Sequence, residues 1–99
     1  MNTLVLEHES LATVIAFSGD SFTVSLNDGR SIAIPLAWFP RLLEGTMKER
    51  AKYTLIGGGE GIHWPGLDED IRVEDLLSGR GSQESQASLK KWLQSRRKK

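Results

Sequence analysis

The chain has no cysteine among its 99 residues. It therefore carries no disulfide framework, thiol nucleophile, zinc knuckle or iron–sulfur site. It also lacks any apolar run near the roughly 20 residues that a membrane span needs, which excludes a transmembrane helix. Its first residues do not show the basic-then-apolar pattern of a secretory signal. We therefore expect a cytoplasmic protein without membrane contact.

The chain is also short for an enzyme with a large active site. A chain of 99 residues fits one domain with an appendage and buries only about 65% of the surface that it exposes when unfolded. This leaves little room for a large, water-excluding active site. With 38% hydrophobic and 26% charged residues, the composition is typical of a soluble globular protein. We expect a protein that is not an enzyme and has no cofactor.

The formal net charge of zero hides a division along the chain. Residues 1–79 carry 6 Lys or Arg against 12 Asp or Glu, whereas residues 80–99 carry 7 against 1. An acidic body disfavours the phosphate backbone as a broad partner. Any affinity for nucleic acid would therefore have to come from the basic tail.

The first half of the body has the pattern of a β-meander. A mostly apolar run over 11–17 is followed by two runs that alternate apolar and polar residues, the period of half-buried strands. Asn27, Asp28 and Gly29 separate these two runs. A type I turn with a left-handed Gly29 places Val24 opposite Ile32, so that one face of the hairpin is uniformly apolar.

Short helices follow the meander. Pro40 fits the first turn of a helix, so we expect a helix over 37–44 that presents Trp38, Phe39, Leu42 and Leu43 to the core and ends at Gly45. Thr46 and Glu49 have the spacing of a capping box, which predicts a second short helix over 47–52.

The second half of the body predicts another hairpin. Strands are expected over 53–56 and 62–64, a short strand over 71–73 and a helical turn over 74–78. After this body, 1–79, comes a polar linker, 80–85, and then a basic amphipathic helical tail, 86–99. The predicted fold class is α+β: an antiparallel meander and a second hairpin packed with two or three short helices, plus the C-terminal helix.

The densest carboxylate cluster lies near the end of the body. Asp68, Glu69 and Asp75 lie in an acidic stretch that could meet a basic partner. The stretch lacks the glycine and closing glutamate of a calcium loop, so we predict no metal site. We expect Asp70 to turn inward and pair with Arg41 or Arg50, which would fix how the helical segment meets the sheet.

His63 has two interpretations. It lies on the strand face opposite Ile62 and Trp64, so the simpler one is a sheet histidine bonded to a neighbour. Catalysis would need His63 to converge in a pocket with Asp68 or Asp70.

The tail combines an apolar stripe with basic residues. Leu89, Trp92 and Leu93 fall on one helical face, and a helix this short must dock on its own body, on a second copy or on a partner. We select Leu89, Trp92 and Leu93 as partner-binding residues. As an alternative, the basic residues could bind nucleic acid: Lys90, Lys91, Arg96, Arg97, Lys98 and Lys99.

Several motifs together resemble one bacterial family. They are Asp28-Gly29-Arg30, the run 35–42 from Pro35 to Leu42, Glu49-Arg50, the run 61–71 from Gly61 to Ile71, and 76–79. In this order they resemble the domain of unknown function 2442 family over about residues 10–80. The resemblance implies a small α+β domain without established catalytic activity. It also implies a gene often next to that of a second small protein, in pairs that look like toxin–antitoxin modules.

The resemblance assigns no function to individual residues. The motif residues at matching positions look like determinants of the fold: Gly29, Trp38, Arg41, Arg50, His63, Trp64 and Asp70. Some family members carry a helix-turn-helix module, for which this chain has no room after Gly79. We therefore predict a protein-interaction module that docks on a second small protein or on a second copy of itself.

Overall fold

The structure, a computed structural model, describes residues 10–97. It contains two three-stranded antiparallel sheets and several short helices, which confirms the predicted α+β class. The first sheet has the order β1-β2-β3 and the second β4-β5-β6. The strands are β1 Ala12–Ser18, β2 Ser21–Leu26, β3 Ser31–Pro35, β4 Thr54–Ile56, β5 Gly61–Trp64 and β6 Glu69–Arg72. The helices are α1 Pro40–Leu43, α2 Met47–Ala51, α3 Val73–Leu77 and α4 Gln86–Arg97.

The register of the first hairpin follows its hydrophobic pattern. Val24 of β2 lies opposite Ile32 of β3, as the sequence predicts. Gly29 adopts φ +95°, the left-handed conformation expected for it. The Gly29 N–H donates to the Leu26 carbonyl, so a three-residue loop places the apolar side chains of both strands on one face.

The helical segment after β3 differs from the prediction. A single 3₁₀ turn, Leu36–Trp38, is separated from α1 by Phe39, which has φ −132° and ψ 86°. A residue before proline is disfavoured in the helical region, so Pro40 begins a new helix instead of continuing the old one. Of the four residues expected in the core, only Phe39 and Leu42 are buried. The expected burial of Trp38 and Leu43 is wrong, since both are exposed.

The helix α2 begins with the predicted capping box. The Thr46 hydroxyl accepts from the Glu49 N–H, and the Glu49 carboxylate accepts from the Thr46 N–H. The helix ends at Ala51, one residue before the predicted end.

Both sheets contribute to one hydrophobic core with Trp64 near its centre. The Trp64 ring meets Phe17 and Phe22 of the first sheet edge-on, at centroid distances of 6.3 and 6.4 Å. Its indole N–H donates to the Arg50 carbonyl at 3.1 Å. Burying this large ring with its polar atom bonded ties the second sheet to α2 and to the first sheet.

A glycine turn also joins the two sheets. The Ala12 N–H at the start of β1 donates to the Gly59 carbonyl at 2.8 Å. Gly59 has φ +117°, and a Cβ atom there would lie 2.5 Å from the Ala12 carbonyl oxygen. Only glycine permits both this conformation and this close approach.

The C-terminal segment lies against the body. Residues 80–85, expected to be a linker, bond to it: the Ser82 N–H donates to the Trp38 carbonyl at 2.8 Å, and the Arg80 N–H donates to the Asp75 carbonyl. These contacts bring the start of α4 close to α1. Within residues 10–97, no helix is long and apolar enough to cross a membrane.

Candidate functional site

A groove of about 560 Å³ separates strand β6 from the C-terminal segment. One wall is β6 with Asp68 before it, and the other is formed by residues 80–84 and Ser88. Phe39 and Ile71 contribute apolar surface, and both are nearly fully buried. Since β6 is an edge strand of its sheet, the groove runs beside main-chain groups as well as side chains.

Glu69 places a half-buried carboxylate in this groove. Alternation along β6 puts its side chain on the same side as the buried Ile71. Burial raises the pKa of Glu69 to about 7, against an opposing effect of the Arg41 charge, while the nearby Glu84 and Asp70 charges raise it further. Among residues 10–97, no other side chain forms a salt bridge or hydrogen bond with Glu69, although the nearby Asp70 backbone N–H lowers its pKa.

The nearest cation, Arg41, is already engaged. Its Nε donates to Glu84 Oε1 at 2.9 Å, and its Nη2 also bonds to Glu84. Its Nη1 donates to the carbonyls of Leu67 and Asp68 at 3.3 and 3.1 Å. The side chains of Arg41 and Glu84 are only 13% and 15% exposed. The Arg41 guanidinium lowers the pKa of Glu84, whereas Glu84 raises that of Arg41.

Two further carboxylates lie around the groove. Asp68 has φ +50°, which is uncommon for a residue other than glycine but tolerated by aspartate. Its carboxylate is largely exposed, 3.7 Å from Arg41 Nη1. Asp75 of α3 lies 3.9 Å from Arg80 Nη1. The structure therefore brings together Asp68, Glu69 and Asp75, the three acidic residues selected from the sequence, around one groove.

Asp70 does not turn inward, contrary to our expectation. Because Ile71 faces the core, its neighbour Asp70 faces solvent, and its side chain is 68% exposed. The register of β5 and β6 places Asp70 opposite His63, and its Oδ1 lies 2.5 Å from His63 Nδ1. Neither expected arginine contacts Asp70: Arg41 binds Glu84, and Arg50 donates to the carbonyls of Leu42 and Leu43.

His63 thus has the environment of its simpler interpretation, a sheet histidine bonded to a neighbour. Of the two pairs that catalysis could use, His63 and Asp70 are in contact on the exposed face of the sheet. Asp68 and Asp70 line the groove and His63 does not, so the pair of His63 with Asp68 is not found at this groove. Within residues 10–97, no group of three potential ligands could hold a metal ion.

Trp92 docks on the chain's own body, one of the three docking places that the sequence left open. Its ring lies between two guanidinium groups, with Arg41 4.9 Å and Arg96 4.7 Å from its centroid. Ser88, one turn earlier, donates to Glu84 at 2.7 Å. The body-facing stripe of α4 is thus Ser88, Trp92 and Arg96, at intervals of four residues.

The other two members of the predicted stripe, Leu89 and Leu93, differ from Trp92. They are half-buried and border a shallow surface depression along α4 with Gln86, Ala87 and Lys90. Each of the two leucines directly follows a residue of the body-facing stripe, so it lies about 100° further around the helix and away from the contact with the body.

The basic residues of the tail have separate environments. Arg96 binds both carboxylate oxygens of Glu49, at 3.0 and 2.9 Å. This contact, with the Thr46 N–H, lowers the pKa of Glu49 to about 2. Arg96 therefore serves to dock α4. Lys90, Lys91 and Arg97 are exposed, and Lys98 and Lys99 lie outside the described residues.

Sequence reasoning missed Glu84, which holds one wall of the groove in place. A signal for it exists, because Glu84 is the one acidic residue in the basic stretch 80–99. A single carboxylate among seven basic residues favours an ion pair. The arginine that Glu84 binds depends on how the chain folds back on itself. Local sequence patterns do not predict this.

Comparisons with known proteins show the family and, separately, the fold. A family model described as a protein of unknown function, DUF2442, matches residues 11–82. No curated protein matches the chain. The chain is similar to the crystal structure of a protein of unknown function from Rhodospirillum rubrum ATCC 11170, with 23% sequence identity, a TM-score of 0.67, and coverage of 81% of this chain and 96% of that one. At this identity the likeness shows a shared fold. Because the family model spans most of the chain, the protein belongs to the DUF2442 family.

Proposed function

We propose that the protein is a cytoplasmic, non-catalytic protein-interaction module, the antitoxin-like or regulatory member of a two-protein bacterial system. The observation that carries this proposal is the groove beside β6, in which Asp68, Glu69 and Asp75 converge. Because this surface is negatively charged, it attracts a basic partner and increases the rate of association.

The ion pairs inside the groove support this proposal, because the arginines there already have acidic partners. Arg41 and Arg80 are each paired with an acidic residue, Glu84 and Asp75 respectively. Asp68 and Asp70 are largely exposed, and Glu69 has no direct cationic partner among the described residues. The groove thus retains negative charge that a basic partner would neutralise.

The test is capture of the partner from the native host, with identification by mass spectrometry. The tagged full chain is compared with a double variant, Asp68→Asn with Asp75→Asn, and with a matched control, Glu44→Gln with Glu60→Gln, whose carboxylates lie outside the groove. We expect a basic protein to be captured by the wild type and the control and to be strongly reduced with the groove variant. Equal capture by all three, or an acidic captured protein, would refute the groove as the docking surface.

Nucleic-acid binding is the second candidate, favoured by one observation. Lys90 and Lys91 are exposed on the outer side of α4, away from the docked Trp92. Such binding would weaken steeply with salt and would be lost when Lys90 and Lys91 are replaced by glutamine. The groove variant would leave it intact, which separates the two candidates.

A further inference from the structure

We infer that the groove binds an extended basic segment of a partner protein, which adds a strand to the free edge of β6 and places a lysine or arginine side chain at Glu69. This inference rests on the proposed function, because it specifies how the partner of that same groove would bind. It commits to a protein segment of basic character as the occupant.

The first step concerns the main chain of β6. The Val73 N–H donates to the Glu60 carbonyl, and the register continues with Ile71 opposite Ile62. The main-chain N–H and C=O groups alternate in direction along a strand. Those of Ile71 and Glu69 therefore point toward β5, whereas those of Asp70 and Arg72 point away from it. Within residues 10–97, no backbone hydrogen bond joins Asp70 or Arg72 to the facing segment 80–84. This edge therefore offers donors and acceptors to an added strand.

The second step concerns the length of that edge. The four residues of β6 extend over about 13 Å. They accommodate a segment of similar length, in which alternate side chains face the core side and the solvent side of the sheet. Loops or a helix would not present their main chain to this edge, so an extended segment is the conformation that matches it.

The third step concerns the side chain that faces the core side. Beside the added strand on that side are the small exposed parts of Phe39 and Ile71, each 4% exposed, and then the Glu69 carboxylate. A lysine or arginine matches this sequence of surfaces, since its methylene stem packs on apolar groups while its charged end reaches the carboxylate. A half-buried carboxylate without a direct partner is stabilised when a cation reaches it.

The fourth step concerns the solvent side. Asp70 and Arg72 project there, with Asp70 paired to His63 and Arg72 to Glu74. These exposed pairs set no strong requirement for the outward residues of the partner. A segment with basic residues at every second position is therefore the simplest ligand.

The experiment titrates the isotope-labelled full chain with the blocked peptide Lys-Thr-Lys-Thr-Lys-Thr and follows amide signals by NMR. We expect saturable binding, shifts at β6, and slower amide exchange at Asp70 and Arg72. The Glu69→Gln variant should bind about tenfold more weakly, the loss of roughly one charge-assisted contact. The control Glu44→Gln should bind as the wild type does.

Two N-methylated peptides test the main-chain contact. N-methylation of the lysines blocks one edge of an extended peptide, and N-methylation of the threonines blocks the other. We expect one of these peptides to bind and the other not. Binding of both, or of neither, would overturn strand addition, as would absence of binding by the unmodified peptide.

Failure of this inference is distinguishable from failure of the proposed function. If Asp68→Asn with Asp75→Asn abolishes capture of the native partner while Asp70 and Arg72 amides stay unprotected in the complex, the groove is the docking surface and strand addition is wrong. If that double variant leaves capture unchanged, the groove is not the docking surface, and if the wild type captures no protein, the proposed function itself is wrong.

Discussion

Arg41 at the start of α1 and Glu84 before α4 lie 43 residues apart in the chain and bind each other through two hydrogen bonds from Arg41 Nε, at 2.9 and 3.2 Å, and a further one from Nη2. Arg41 also faces the Trp92 ring. One side chain thus holds the segment 80–85, the helix α4 and one wall of the groove. Its removal should affect all three.

We expect Arg41→Gln and Glu84→Gln each to lower the free energy of unfolding by about 1–3 kcal/mol, because each leaves a largely buried charge without its partner. Urea denaturation of both single variants and the double variant gives the coupling energy. The exposed pair Arg72–Glu74 is the matched control and should give a smaller value. Equal coupling energies in the two pairs would contradict the role assigned to Arg41.

Trp92 provides a second test of how α4 is held. Since its ring packs between Arg41 and Arg96 and against the core, we expect Trp92→Ala to lower the free energy of unfolding by about 1–2 kcal/mol, less than for a fully buried tryptophan. The control Leu93→Ala lies beside this stripe and should cost less. An unchanged melting temperature in Trp92→Ala, with loss of partner capture, would instead place Trp92 in a partner interface.

The first β-sheet was predictable because its determinants are local, whereas the last strand of the second sheet was predicted over 71–73 and is found over Glu69–Arg72. The alternation around Val24 and Ile32 and the Gly29 turn define one hairpin register, and the capping box at Thr46 defines the start of α2. The direction of Asp70 was also contained in the sequence, since a strand that buries Ile71 must expose its neighbour. Our prediction was wrong because it began this strand at Ile71, whereas the strand begins at Glu69 and includes Asp70 in the alternation.

The groove was not predictable in the same way. The acidic residues on β6 and α3 were found, but the opposite wall is a polar segment with no hydrophobic period. Its placement depends on the contact of Glu84 with Arg41 and of Ser82 with the Trp38 carbonyl. These are tertiary contacts between residues far apart in the chain, and spacing along the sequence does not encode them.

A substitution of Asp70 distinguishes a side chain that faces solvent from one that faces inward. Because its side chain faces solvent and, among residues 10–97, forms a polar contact with His63 alone, we expect Asp70→Asn to change the free energy of unfolding by less than about 0.5 kcal/mol, as is typical of a surface site. Chemical denaturation measures this change. A loss of several kcal/mol would indicate that Asp70 pairs with a buried arginine after all.

Gly59 tests the junction between the sheets. A Cβ atom there would lie 2.5 Å from the Ala12 carbonyl oxygen in a conformation that side chains rarely adopt, so we expect Gly59→Ala to cost at least about 2 kcal/mol. Gly58 is the matched control: its φ of +70° is also positive, but no atom lies within 4 Å of its Cβ position. Gly58→Ala should cost only about 1 kcal/mol. Equal losses of stability of the two variants in thermal denaturation would show that the close approach to Ala12 adds no cost of its own.

Glu69 gives a prediction with a defined pH window. Its pKa lies near 7 in the folded protein, above the ordinary value of 4.5, so folding favours the protonated form. The stabilising contribution of this proton is complete below pH 4.5 and is lost as the pH rises through 7. Glutamine mimics the protonated side chain. Glu69→Gln should therefore match the wild type near pH 4 and exceed it in stability at pH 8.

The size of this difference follows from the shift and the exposure. A shift from 4.5 to about 7 sets an upper bound of roughly 3 kcal/mol, which solvent around a half-buried carboxylate reduces. Urea denaturation at several pH values measures the trend. Glu84→Gln is the control of opposite sign, because the pKa of Glu84 is lowered and its contribution is lost as the pH falls. A pH-independent difference between Glu69→Gln and the wild type would show that Glu69 is solvated as a surface residue, and the groove would then lack the half-buried charge that favours a basic partner.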